Sequence, residues 1–453
     1  MLYQFLRLVI FISVKIFFRS AHIRNIENVP KKGALLLAAN HPGTFLDPLI
    51  LAVWLNRPIS FLTNGGVFKN PILAWFFKRL FMVPIYRQQD NADGDSATKN
   101  AEKNEQAFNA CYDLLARGGA IVIFPEGGSE DERRLRKLKT GLARIALGAE
   151  AKYDFNLGVQ IVCAGINYTN PRQFQSDVFV QYDAPIFPAN YKAAYLENPQ
   201  TTVQNLTLAV EKQLSSLIVI TVDEETDEFV RKIETLYSHQ LQDFLELPSH
   251  NTEQIFVMAQ HFADATHYFR THAPERYKQF KEHTTAYFSL LSQYNIHDKI
   301  VANYDKTQQN KQHILLNIPW LIIAFPIYLL GLIHNFIPYK LPGWLALRMT
   351  KEPVFLTSIN FTLGIVCFSA FYLFYGFLFH ALLNSHFLAF LYCSMISASG
   401  FATYYYWHFA IKVWHQWKLI NILKTDKNLL DLRKEIIAEL EKSRDDYMKV
   451  LNT

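Results

Sequence analysis

The chain has 453 residues, half of them hydrophobic and 15% aromatic, with a formal net charge of +5. Such a length allows two or three domains, and the apolar content excludes a disordered chain and points to membrane contact. So mild a positive charge suits acidic substrates or an anionic membrane surface but is no nucleic-acid signature.

Residues 2–18 are apolar but interrupted by Arg7 and Lys15. On a helical wheel Gln4, Arg7, Lys15 and Arg19 share an arc of roughly 120°. That pattern describes a helix lying in the membrane interface with a basic stripe facing headgroups; a tilted spanning anchor is the alternative. A signal peptide is disfavoured, because no charge precedes the apolar run and no small-residue cleavage site follows it.

An apolar strand pattern over residues 34–39 leads into Asn40-His41-Pro42-Gly43-Thr44-Phe45-Leu46-Asp47-Pro48, and then into an apolar helical run over 49–55. A His and an Asp held together where a strand meets a helix are a base and its orienting partner. The carboxylate holds one ring nitrogen and leaves the other to accept a proton. The plainer reading makes Asp47 the N-cap and Pro48 the first helical residue. Next comes Val83-Pro84-Ile85-Tyr86-Arg87, a short apolar run ending in an arginine. A polar loop over 88–100 and an amphipathic helix ending near Gly118-Gly119 follow. Residues 121–124 then read as a buried strand opening into Pro125-Glu126-Gly127-Gly128-Ser129, whose small residues leave backbone N–H groups accessible to an anion. Lys139 precedes a further helical pattern at 142–147. A base, an arginine, a glycine turn and a lysine together suit the activation of a hydroxyl on a phosphorylated substrate.

These segments resemble the motifs of the glycerophospholipid acyltransferase superfamily, in order: 40–47, 83–87, 124–127, and Ile161-Val162-Cys163-Ala164-Gly165-Ile166-Asn167-Tyr168. The resemblance covers roughly residues 20–190. Five residues separate His41 from Asp47 where four are usual, and Gly128-Ser129 replaces the usual Thr-Arg. Both features, and residues 138–149, are similar to the branch containing the fungal glycerol-3-phosphate and dihydroxyacetone-phosphate acyltransferases. Cys163 stands where a proline is common. The resemblance implies His41 as general base, oriented by Asp47, for direct attack of an acceptor hydroxyl on an acyl thioester. It leaves no need for an acyl-enzyme, and Cys111 and Cys163 read as core residues. Arg87 is expected to bind phosphate, with Lys139 and the backbone of Gly127, Gly128 and Ser129 as further candidates. Glu126 is expected to contact an acceptor hydroxyl or to anchor Arg87 or the loop. The implied partners are an acyl-CoA or acyl carrier protein thioester, a glycerol phosphate or lysophospholipid acceptor, and the lipid bilayer. Neither a cofactor nor a metal is implied.

Alternating strand and helix signals predict an α/β acyltransferase domain over residues 21–190, with a sheet flanked by helices. A helical region of no assigned chemistry is expected over 191–312, membrane helices over 313–410 and amphipathic helices over 411–453. The long apolar runs are 314–338, 354–383 and 387–407, and the aromatic cluster 404–407 resembles an interfacial belt. Lys340, Arg348 and Lys351 precede the second run and Lys412, Lys418 and Lys424 follow the third, while residues 384–386 carry neither Lys nor Arg. The positive-inside rule makes these two a hairpin with cytosolic ends. The first run, rich in proline, is expected to be re-entrant and to turn back near Pro326. The resulting expectation is an integral membrane protein with its catalytic domain on the cytosolic face, in a bacterial inner membrane or the endoplasmic reticulum. The four scattered cysteines fit that reducing side.

Overall fold

The computed structural model describes residues 2–65, 71, 82–85, 97–130, 132–244, 252–304 and 311–451. The chain divides into two units. One comprises Met1–Ile220 with Thr252–Phe256 and Glu352–Ser358; the other comprises Thr221–Asn251, Val257–Lys351 and Ile359–Thr453.

In the first unit the strands are β1 (Ser20–Arg24), β2 (Leu35–Ala39), β3 (Ser60–Asn64), β4 (Met82–Ile85), β5 (Ala120–Ile123), β6 (Gln160–Tyr168) and β7 (Asp177–Tyr182). They form one sheet in the order β1-β7-β6-β2-β5-β3-β4. Every neighbouring pair is parallel except β6 and β7. The central strands β2 and β5 are buried at every position, as continuous apolar strands covered on both faces must be. Their C-terminal ends are adjacent, and residues 40–47 and 124–130 both emerge there. In open α/β sheets that edge is where ligands bind.

The helices of this unit are α1 (Leu2–Phe17), α2 (Leu46–Trp54), α3 (Ala97–Ala116), α4 (Gly141–Lys152), α5 (Lys192–Glu197) and α6 (Pro199–Ser216). Cys111 and Leu115 of α3, Ile145 and Ala149 of α4, and Leu206, Val210 and Leu214 of α6 share one core with Leu36 and Cys163 of the sheet. The domain therefore continues past residue 190, its expected boundary, to 220. The reason is the apolar face of α6, repeating at helical spacing, which the sheet buries.

The basic side of α1 is tied to the rest of the domain. Arg7 donates to Val53 O at 3.1 Å, the Lys15 ammonium lies 4.9 Å from the Trp54 ring, and Arg19 pairs with Asp177. The cations have partners in the domain, yet Lys15 and Arg19 stay exposed beside Gln4, Phe5, Leu8, Ile12 and Ile16. The exposed side of the helix therefore carries apolar and basic residues together, the cations also holding partners on α2 and β7.

The second unit is helical. Among the described residues three helices are long and apolar enough to cross a membrane: Leu315–Met349, Pro353–Leu383, whose first turns belong to the first unit, and His386–Thr425. The first is a continuous helix from Lys311 with Pro319, Pro326, Pro338 and Pro342 inside it, so the expected reversal near Pro326 is absent. A proline removes one helical hydrogen bond, and no glycine, asparagine, aspartate or serine stands with Pro326 in residues 323–328 to complete a turn. The helix runs antiparallel to His386–Thr425. Tyr406 Oη donates to Leu321 O and Asn335 Nδ2 to Ile396 O, both at 3.1 Å. Gly331 permits the close approach, since a Cβ there would lie 2.2 Å from Ser399 O. Residues on both flanks of the apolar helices share one core: Leu236, Tyr287, Leu291 and Ile300 pack with Leu419, Leu423, Leu429 and Ile436. Ion pairs from Arg276 to Glu439 and from Arg433 to Asp298 join the same flanks.

Candidate active site

Asn40 ends β2 by pairing sideways in place of a strand. Its side-chain amide donates to Ile166 O at 2.9 Å and accepts from Ile166 N at 2.7 Å. This fixes the start of the loop against β6, so that His41 leaves the sheet in one direction. His41 Nδ1 lies 2.8 Å from Asp47 Oδ2. The ring stacks on Phe124 with centroids 3.9 Å apart and an interplanar angle of 15°. With a carboxylate on Nδ1, the proton sits there and Nε2 carries the lone pair of a general base.

Asp47 is fully buried, and a buried carboxylate requires donors. Besides His41 it accepts from Gly43 N at 2.8 Å and from the Tyr168 hydroxyl at 2.6 Å. A Cβ on Gly43 would lie 2.6 Å from Asp47 Oδ1, so only glycine fits this turn. Helix α2 begins at Leu46 with Phe45 in the cap position. Asp47 is thus one residue inside the helix, its carboxylate spent on the site instead of on capping. The longer His–Asp spacing closes because Thr44 takes a left-handed conformation, φ 50°, at a cost of about 1–3 kcal/mol for a non-glycine residue.

The second loop grips the first. Glu126 Oε1 accepts from His41 N at 3.1 Å, and its Oε2 from Arg136 N at 3.2 Å. Burial pushes the Glu126 carboxyl above the ordinary range, against the opposing pull of those N–H groups and of the Arg136 guanidinium. Both oxygens are occupied within the protein, so Glu126 acts as a loop anchor here. Ser129 Oγ donates to His41 O at 2.7 Å and accepts from Thr44 N at 3.0 Å. Gly127, at φ 75°, lies against the Lys139 side chain, which would collide with any Cβ there. Arg136 lies over Gly128, with Nη1 3.4 Å from an ideal Cβ position. It meets Glu130 at 2.6 Å and Glu126 at 3.6 Å, and its Nη2 is buried with no hydrogen-bond partner among the described residues.

The structure therefore gathers His41, Asp47, Glu126, Gly127, Gly128, Ser129 and Lys139 at one end of the sheet. Arg87 lies outside the described residues, although β4 leads to it. Cys163 sits mid-strand in β6, opposite Ala38, and burial holds its thiol well above the usual range. Burial likewise pushes the Cys111 thiol up to about 12, so both cysteines are core groups. Sequence reasoning assigned no role to Tyr168, Arg136 or Ser358. Tyr168 had a signal as the last residue of the fourth motif, and Arg136 in the basic run 133–139 that follows the glycine turn after four residues; Ser358 had none.

Residues 20–168 match the family described as Acyltransferase. Glycerol-3-phosphate O-acyltransferase 1 of Saccharomyces cerevisiae is 26% identical, covering 63% of this chain and 47% of the relative. Glycerol-3-phosphate O-acyltransferase 2 of the same yeast is 34% identical over 31% of this chain and 19% of the relative. The chloroplastic 1-acyl-sn-glycerol-3-phosphate acyltransferase LPAT1 of Arabidopsis thaliana is 26% identical over 30% of this chain and 35% of the relative. The chain spans less than half the length of these curated relatives.

Proposed function

We propose, from the premise that residues 20–168 form an acyltransferase-family domain, that this protein transfers a fatty acyl group from an acyl thioester to glycerol 3-phosphate in phospholipid synthesis. The observation that carries the reading is the buried Asp47 carboxylate on His41 Nδ1. His41 Nε2 takes the proton of the acceptor hydroxyl as its oxygen attacks the thioester carbonyl carbon. The tetrahedral intermediate collapses with cleavage of the C–S bond, and the imidazolium returns its proton to the departing thiolate. A positioned base of this kind contributes roughly 10²–10⁴ in rate. Asp47 stabilises the imidazolium without taking the proton.

Arg136 and Lys139, flanking the Gly127–Gly128 turn, are the cations for the acceptor phosphate, with Arg87 a further candidate from the sequence. Glycerol 3-phosphate is preferred as acceptor because the yeast relative named for it covers 63% of the chain, against 30% for the plant enzyme named for the 1-acyl acceptor. Acylation of 1-acylglycerol 3-phosphate at the second hydroxyl is the alternative. An inactive lipid-binding scaffold is the reading from another class; it has no use for a buried carboxylate on a histidine.

The catalytic domain is assigned to the cytosolic face of a membrane. The two flanks of the apolar helices share one core, which supports an even number of crossings between them. A hairpin of Pro353–Leu383 and His386–Thr425 meets that condition.

The test is an assay of membranes carrying wild type or His41→Ala, with labelled glycerol 3-phosphate or its 1-acyl derivative and acyl-CoA or acyl carrier protein thioesters. Lysophosphatidate formation by wild type, lost at least 10²-fold in the variant, is expected. Conversion of the 1-acyl substrate alone would shift the protein to the second acylation, and equal activity of the variant would remove His41 as base.

A further inference from the structure

Ser358 lies outside the residues that match the acyltransferase family, in the second turn of the helix Pro353–Leu383, and 314 positions from Thr44 in sequence. Its side chain is buried, with only 1% of the residue exposed. The hydroxyl serves the catalytic loop at three points. It donates to Gly43 O at 2.6 Å, accepts from Leu46 N at 3.2 Å, and is hydrogen-bonded to the Thr44 hydroxyl. One proton and two lone pairs are what a serine hydroxyl offers, and this set of contacts uses each kind. Thr44 Oγ1 also reaches Val354 O, one turn earlier on the same helix, at 3.4 Å.

The residue so held is the unusual one. Thr44 is β-branched and sits at φ 50°, a conformation such residues avoid. Its N–H is bound by Ser129 and its side chain by Ser358. Gly43 and Leu46, the other two partners of Ser358, flank it, and the next residue is Asp47. The left-handed Thr44 is what lets five intervening residues bring Asp47 back to His41, so whatever stabilises it sets the distance between base and carboxylate.

We propose that Ser358 is a positioning residue for acyl transfer: it holds Thr44 left-handed and thereby keeps His41 on Asp47. The site is then completed by the first turns of an apolar helix distant in sequence. This rests on the acyltransferase reading for its kinetic consequence, but not for the placement of His41.

The test uses the full chain in membranes, with Ser358→Ala, Thr44→Gly and the double variant. Glycine adopts φ 50° freely, so it removes the need for the clamp. Ser358→Ala is expected to lower kcat at least tenfold with KM for both substrates within about threefold, since misplaced catalytic groups lose rate before binding. Thr44→Gly is expected to restore most of that loss, which it would not do if Ser358 merely stabilised its helix. In parallel, carbethoxylation of His41 by diethyl pyrocarbonate, followed by mass spectrometry, is expected to run at least threefold faster in Ser358→Ala and to return toward wild type in the double variant. Labelling requires no turnover, so an inactive wild type would sink the acyltransferase reading while this measurement still decides the clamp. Wild-type kcat and labelling in Ser358→Ala would overturn the proposal, as would a loss that Thr44→Gly leaves unrestored. If Ser358→Ala fails to accumulate, recovery of the protein by Thr44→Gly supports the clamp, and no recovery overturns it.

Discussion

The two loops at the end of the sheet are built on opposite plans. Around His41 and Asp47 the polar groups are matched to protein partners: the carboxylate takes the ring, a backbone N–H and the Tyr168 hydroxyl, and Thr44 is bracketed by Ser129 and Ser358. Around Gly127 and Gly128 the cations keep bonding capacity in hand, with Arg136 Nη2 buried and unpartnered among the described residues and the Lys139 side chain exposed. The difference fits the two tasks proposed for them. A base must be fixed before the substrate arrives, because proton transfer depends steeply on geometry. An anion site must keep donors for the ligand, since a guanidinium fully bonded to the protein has nothing to offer a phosphate.

The contrast is tested most severely by Asp47→Asn. It keeps the shape but allows the wrong tautomer of His41, and kcat is expected to fall by about 10³–10⁴. A loss below tenfold, measured under saturating substrate, would mean that the carboxylate is structural only. Arg136→Ala should move the other parameter: KM for the phosphorylated acceptor is expected to rise about tenfold, as loss of a charge-assisted hydrogen bond implies, with kcat nearly unchanged. A fall in kcat at constant KM would erase the division of labour between the loops. The smallest effect concerns Glu126, which ties them together. Burial raises its folded-state pKa, so the folded chain holds this proton to a higher pH than the unfolded chain does. The stability linked to it is present in full below the ordinary glutamate range and is lost as pH rises through the raised value. Glu126→Gln has no such proton, so its stability relative to wild type should increase with pH across that window. Thermal unfolding in detergent between about pH 4 and 8 would show it, and a pH-independent difference would contradict the assignment.

How much of this was readable from the chain depends on the range of the interaction. His41, Asp47 and the glycine turn stand beside short apolar strands, and local pattern placed them at strand ends before any contact was known. Asp47 shows the limit: as an N-cap or as a partner of histidine it has the same neighbours in sequence, and only burial against Tyr168 of β6 selects the second role. The basic stripe of α1 illustrates the same limit from the other side. Its periodicity is evident in the chain, but its partners Val53, Trp54 and Asp177 are not.

Composition and periodicity by themselves determined the α/β character of the first part and the apolar helices of the last, because these follow from backbone propensity and from burial at regular spacing; the motif residues came from the resemblance of short segments to a family. The tertiary structure alone decided that α6 belongs to the sheet, that Pro326 lies within an unbroken helix, that Glu126 anchors a loop, and that Ser358 bonds to the turn at 43–46. Each of these is a choice among partners far apart in the chain. Strand order and helix packing make that choice, and no local pattern carries it.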